Sequence, residues 1–199
     1  MAKLNSSLKN MVMSLAIISF GASAILGGVY ALTKAPIEKA AEAKKTNAIK
    51  EVLPTNANMK IGDPVEISIP SYSEKFIVYP AFENDKLVAV AVETFDNNGY
   101  GGQIKSMVGF DAEGKIVNYA ILSMSETPGL GEKATSWFKT ERNKQDIRGK
   151  NPSEESFKVI KDGGEIDAIT ASTITSRAFL ASVKTAYNVF MEYQKQQNK

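Results

Sequence analysis

Leu87-Val-Ala-Val-Ala-Val-Glu-Thr-Phe95 and, a little further on, Gln103-Ile-Lys-Ser-Met-Val-Gly-Phe-Asp-Ala-Glu-Gly-Lys-Ile-Val-Asn-Tyr-Ala-Ile-Leu122 set the fold class of this chain. In the first stretch Val88, Val90 and Val92 alternate with Leu87, Ala89 and Ala91, so both sides are apolar, as in a strand covered on both faces. In the second, two strand-like runs over 103–110 and 115–122 flank the turn sequence Asp111-Ala-Glu-Gly114 and read as a hairpin. Shorter strand-like runs lie upstream at 65–69 and 76–79. Downstream, 131–140 predicts a short helix bearing Trp137, the only tryptophan. Over 176–196, Phe179, Val183, Ala186, Phe190 and Tyr193 recur at helical spacing, with Lys184, Glu192 and Lys195 elsewhere on the wheel. The expectation is an α+β domain of antiparallel strands with flanking helices.

Composition narrows the chemistry. The 24 basic and 22 acidic side chains nearly cancel, leaving a net charge of +2 with no basic block, so nucleic acid is not an expected partner. Cysteine and histidine are both absent. That removes thiol nucleophiles, disulfides and iron–sulfur ligation, together with the usual general base and the usual zinc and haem ligand. Redox chemistry would need an organic cofactor, and a covalent link to it would need a side chain other than Cys or His, with a hydroxyl as the remaining candidate.

The N-terminal part is of another kind. The 22 residues from Met11 to Leu32 carry no charge and are long enough to cross a bilayer as a helix. Lys3 and Lys9 precede the run; Lys34, Lys39, Lys44 and Lys45 come after it, mixed with Glu38 and Glu42, so the count of flanking lysines does not fix its orientation. A cleaved secretory signal would use Ala22-Ser23-Ala24 as its cutting site. The apolar run continues through Ile25, Leu26, Val29, Tyr30 and Leu32, which favours an uncleaved anchor. Either reading exports the C-terminal domain. The expected organisation is a cytoplasmic N-terminus over 1–10, a membrane helix over 11–32, a helical stalk over 33–53 and an extracytoplasmic domain over 54–199, with Pro36 in the stalk's first turn and a break at Pro54-Thr-Asn-Ala-Asn. With no charge in the membrane run, this chain alone is not expected to form an ion path.

Three stretches fit neither core nor solvent face. Gly99-Tyr100-Gly101-Gly102 sits between two strands, where glycines let backbone N–H groups approach an anion or a flat ligand; a plain turn is the simpler reading. Ser125-Glu126-Thr127-Pro128-Gly129-Leu130-Gly131-Glu132-Lys133 is a tight loop leading into a helix. A connecting turn explains its Pro and Gly but not the apolar Leu130 between two glycines. Asp167-Ala168-Ile169-Thr170-Ala171-Ser172-Thr173-Ile174-Thr175-Ser176 puts five hydroxyls into seven residues before the last helix. One cap needs one hydroxyl; hydroxyls and free amides at a helix start also hold phosphates.

In this order the three stretches resemble the FMN-binding domain shared by the G subunit of the Rnf complex and the C subunit of the sodium-pumping NADH:quinone reductase. That family's pattern is Gly-Tyr-Gly-Gly, then Glu-Thr-Pro-Gly-Leu-Gly, then Asp-x-x-(Ser/Thr)-Gly-Ala-Thr-x-Thr-Ser. The anchor and stalk match too, and the short length favours the Rnf-type subunit. The resemblance implies a membrane-anchored flavoprotein of the bacterial inner membrane with its domain on the periplasmic side. It would pass electrons among the other Rnf membrane and redox subunits, in a complex coupling ferredoxin:NAD electron transfer to ion translocation, without turning over a substrate of its own. It also implies that a flavin transferase moves FMN from FAD onto Thr173 as a phosphoester. Thr170, Ser172, Thr175 and Ser176 would then bond the phosphate and ribityl chain, and Asp167 would help the transferase recognise or activate the site, or is a plain cap or turn residue. Gly101, Gly102 and Glu126 fall in the matching motifs, and Thr127, Gly129, Leu130 and Gly131 would lie along the isoalloxazine ring. Lys133 and Lys105 are candidates to balance charge, or are plain solvated lysines. Two departures stand out: Ala171-Ser172 replaces the family's Gly-Ala, and Met124 stands where relatives often have His. The rival readings are a stand-alone exported flavoprotein and a non-redox exported binding or scaffold protein.

Overall fold

The computed structural model describes residues 7–54, 59–70 and 72–197. Lys3 and the break expected over 55–58 lie outside the described residues. The chain divides into two compact units, Met1–Ala43 and Lys44–Lys199.

The expected anchor and stalk are one continuous element. Helix α1 (Leu8–Val52) runs through the boundary expected at 32/33 and carries Pro36 in its interior rather than in a first turn. Pro36 cannot donate to the carbonyl four residues back, yet the helix continues on both sides of it. Leu8–Val52 is long and apolar enough to cross a membrane. Its uncharged stretch from Met11 to Leu32 would rise about 33 Å at 1.5 Å per residue, close to the thickness of a hydrocarbon core. Met11, Leu15, Ile18, Ile25, Leu26 and Leu32 are all exposed, as a lipid-facing surface requires.

The second unit is the α+β domain. Its strands are β1 (Lys60–Ile61), β2 (Val65–Ile67), β3 (Phe76–Glu83), β4 (Lys86–Gly99), β5 (Gly102–Asp111) and β6 (Ile116–Ser123), followed by helix α2 (Thr173–Gln197). Strands β3 to β6 form an antiparallel meander, and β1 and β2 both pair with β3 along its outer edge. The hairpin at Asp111–Lys115 is closed by the Asp111 carboxylate, which accepts from the N–H groups of Glu113 and Lys115. In place of the single short helix expected over 131–140 there are two 3-10 turns, Gly131–Thr135 and Trp137–Lys139.

Strand β4 is covered on both sides. Large residues, among them Val90, Val92, Val108 and Phe110, face α2 with Phe179, Val183 and Phe190. Small ones, Ala89, Ala91 and Ala120, face Ala48, Ile49 and Val52 at the end of α1. Leu87 departs from the expected alternation. Ala81 pairs with Ala89 but Phe82 pairs with Leu87, so Val88 is an extra, unpaired residue. This bulge turns Leu87 onto the α2 side, where it packs with the larger cluster. With Asp96, Glu93 is one of two acids in this strand. Burial alone would push its carboxyl up, but the ammonium groups of Lys105 and Lys45, each at 2.6 Å, outweigh that and hold it below the usual range.

Candidate flavin site

The three unusual stretches meet at one end of the sheet, and Glu126 joins them. Its carboxylate is buried, with Oε1 accepting from the N–H of Gly101 at 3.0 Å and Oε2 accepting from the hydroxyl of Thr175 at 2.7 Å. One side chain thus ties the β4–β5 turn and the first turn of α2 to the loop that carries it. Three glycines are required by this closeness, the first being Gly99, where a Cβ would lie 2.7 Å from Glu126 Oε1. A Cβ at Gly131 would lie 2.5 Å from Glu126 Oε2 and 2.8 Å from Thr175 Oγ1, and one at Gly101 would collide with the Ser125 carbonyl.

Above this junction lies a cavity of about 530 Å³, lined by Tyr100 from the turn, Glu126, Thr127, Leu130 and Gly131 from the loop, and residues 171–175 from the head of α2. Its chemistry is divided. Tyr100, Leu130 and Ile174 are exposed apolar side chains, while Ser172, Thr173 and Thr175 bring hydroxyls. Among the described residues the N–H groups of Thr173, Ile174 and Thr175 have no acceptor, the first internal bond of the helix running from Ser176 N to Ser172 O at 3.0 Å. An anion at the hydroxyl end would meet these donors and the positive end of the helix dipole. Thr173 is the first residue of α2 and half-buried. Its Oγ1 has one side-chain partner among the described residues, Lys161 Nζ at 3.5 Å.

Of the residues singled out from sequence, Thr173, Ser172, Thr175, Glu126, Thr127, Leu130 and Gly131 line the cavity; the others do not. Ser176 is fully buried, its hydroxyl donating to the Ser172 carbonyl and accepting from Ile169 N, both at 2.9 Å. Asp167 accepts from Lys144 N at 3.0 Å through Oδ2 and from the Trp137 indole at 2.9 Å through its carbonyl, fastening the segment before the helix. Thr170 is exposed in the preceding turn. Gly102 and Gly129 have φ of 101° and 74°, and Gly129 N donates to Glu132 Oε2 at 3.3 Å. Lys105 is taken up by Glu93, whereas Lys133 is exposed and without an ion pair among the described residues.

Sequence reasoning passed over Tyr100, Ile174 and Lys161. An apolar residue inside the hydroxyl cluster was a readable signal for Ile174, and an aromatic between glycines for Tyr100. Lys161 has none, since only the fold brings it to Thr173. Ala171 has φ 60°. The left-handed backbone there is what a Gly would accept freely and an alanine adopts only at a cost, so the departure from the family's Gly falls on a strained position.

Comparison with known proteins defines the class. The FMN-binding domain family matches residues 99–188, from the first glycine of the turn well into α2, and so spans every wall of the cavity: this is an FMN-binding domain protein. The G subunit of the ion-translocating oxidoreductase complex of Vibrio vulnificus is 33% identical over 189 residues, covering 91% of this chain and 88% of that protein. Its counterpart in Vibrio atlanticus is 32% identical over 191 residues, 92% of this chain and 90% of its own length. The counterpart in Vibrio parahaemolyticus is 40% identical over 117 residues, 55% of this chain and 53% of that protein. The chain belongs to the family of G subunits of the ion-translocating oxidoreductase complex.

Proposed function

We propose that this chain carries FMN as a phosphoester on Thr173 and passes electrons within an Rnf-type complex that couples ferredoxin:NAD electron transfer to ion translocation. The observation that carries this reading is the division of the cavity. The Thr173 hydroxyl lies beside free helix-start N–H groups at one end, with Tyr100, Leu130 and Ile174 at the other, an arrangement that fits a phosphate and a flat, largely apolar ring. Family membership supports the same reading.

Bound FMN would supply the electron-transfer chemistry that the side chains of this protein lack. The chain's own part is positional. Thr173 offers the attachment oxygen, the N–H groups of residues 173–175 receive the phosphate, and Ser172 and Thr175 are at hand for the ribityl hydroxyls. Leu130, Tyr100 and Ile174 exclude water from the ring. Glu126 keeps turn, loop and helix in register. A flavin transferase would load the site. Through α1 the domain would be held at the extracytoplasmic side of the bacterial inner membrane beside the other membrane and redox subunits.

The test is direct. Co-expressed with a flavin transferase, the chain is expected to run as a fluorescent band on a denaturing gel, with an intact mass increased by one FMN. Thr173→Ala is expected to lose both. A chain that stays unmodified, or keeps its flavin in Thr173→Ala, refutes the attachment. Because the protein has no cysteine, single cysteines introduced at residues 9 and 154 report orientation by membrane-impermeant labelling; labelling at residue 9 alone from outside would overturn the proposed placement.

A further inference from the structure

Lys161 Nζ lies 3.5 Å from Thr173 Oγ1. At that length the contact is a weak hydrogen bond, and what matters is that an ammonium group is held beside the attachment oxygen. Several features hold it there. Lys161 sits in a 3-10 turn (Ile160–Asp162) closed by Gly163 at φ 80°. The turn is tied down by bonds from Asp162 N and Gly164 N to the Val159 carbonyl and from Ile160 N to the Ile166 carbonyl. The next residue, Asp162, takes Nε and Nη2 of Arg177 at 2.7 and 2.6 Å, and Arg177 stands one turn along α2 from Thr173. The turn bearing Lys161 is therefore clamped to the same helix that bears the threonine.

The charges around this point are otherwise accounted for. Arg177 is neutralised by Asp162, and the Glu126 carboxylate is occupied by Gly101 and Thr175. Lys161 makes no ion pair with any carboxylate among the described residues, and Thr173 is its one side-chain partner there. A cation without a counter-ion, fixed at the oxygen that would become a phosphodiester, is a place for the phosphate's negative charge.

We propose that Lys161 is the phosphate-positioning residue of the flavin site, pairing with the phosphodiester on Thr173 and favouring its formation. The proposal rests on the attachment reading above. In that step the Thr173 oxygen forms a bond to the FMN-side phosphorus of FAD as the pyrophosphate P–O bond breaks. AMP leaves and the hydroxyl proton passes to a base of the transferase. Lys161 holds the phosphoryl oxygens.

The experiment uses the full chain in detergent with purified flavin transferase and FAD, following in-gel fluorescence and intact mass over time, and the 31P resonance of the loaded protein. Lys161→Gln is expected to attach flavin about fivefold more slowly, the worth of one exposed ion pair. Lys161→Glu is expected to be slower still, and Lys161→Arg close to wild type. The gap between wild type and Lys161→Gln should narrow as salt rises. The 31P resonance should move in Lys161→Gln and return in Lys161→Arg, which a fault in transferase docking would not produce. Equal rates for wild type and Lys161→Glu at low salt would overturn the proposal. So would slower attachment with an unmoved 31P resonance, since the charge would then act on the encounter with the transferase. A wild-type chain that takes up no flavin fails the attachment reading instead, whatever the Lys161 variants do.

Discussion

Glu126 is the side chain on which the site's assembly depends, and its replacement separates two possible reasons. In Glu126→Ala both bonds vanish. Gly101 is exposed, so its N–H regains water at little cost, whereas Thr175 is 1% exposed and its hydroxyl loses a charged acceptor without replacement. A hydrogen bond to a charged group is worth about 1.5–3 kcal/mol, so the expected loss is about 2–3 kcal/mol, or roughly 4–12 °C for a domain of this size. Glu126→Gln keeps the shape and one carbonyl oxygen. That oxygen can accept from Gly101 N while the amide donates to the Thr175 hydroxyl, and only the charge assistance goes, at a cost of about 1 kcal/mol. The assay is thermal unfolding of the full chain in detergent, with flavin attachment measured on the same samples. The alanine variant should melt several degrees below the glutamine variant and attach flavin poorly; the glutamine variant should retain attachment. If the two melt together within about 1 °C, the carboxylate is not acting through these two bonds.

Ala171→Gly should raise stability by about 0.5–1 kcal/mol, because glycine accepts the left-handed backbone that alanine adopts at a cost; an unchanged or lowered melting temperature would contradict this. Glu93 should make the domain acid-sensitive. Its folded carboxyl ionises below the usual 4.5, so the stabilisation is whole above that value and is lost as pH falls through the folded value. Going from about pH 6 to about pH 3.5 should therefore cost wild type more melting temperature than it costs Glu93→Gln, and equal losses would remove Glu93 from the account. Tyr119→Phe removes a hydroxyl that donates to the Ala134 carbonyl at 2.7 Å and accepts from Phe138 N at 3.1 Å, both in the core. About 2 kcal/mol should be lost, with flavin attachment to Thr173 unchanged at temperatures where the variant is folded.

Period and polarity carried most of the fold, and the places where they failed have local causes. The two-faced strand, the hairpin around Asp111 and the last helix are each written in side chains that repeat at the period of the element. The Val88 bulge is not, because an extra residue in one strand is defined by its partner's register and leaves Leu87 looking like part of the alternation. The boundary between anchor and stalk marked a change of solvent rather than of backbone. Pro36 lowers helix propensity, but one lost bond in a 45-residue helix does not end it. The site divides along the same line. Glycines and clustered hydroxyls were legible as departures from core and surface chemistry, and they do converge. Which hydroxyl faces the cavity was not legible, because Ser176 and Thr173 are the same kind of residue three positions apart, and only the turn of α2 sends one into the core and leaves the other at the opening. Least legible of all was Lys161. Its meaning comes from Asp162 and Arg177 clamping a distant turn onto the helix, and a lysine among 24 basic residues announces nothing until that clamp brings it to the threonine.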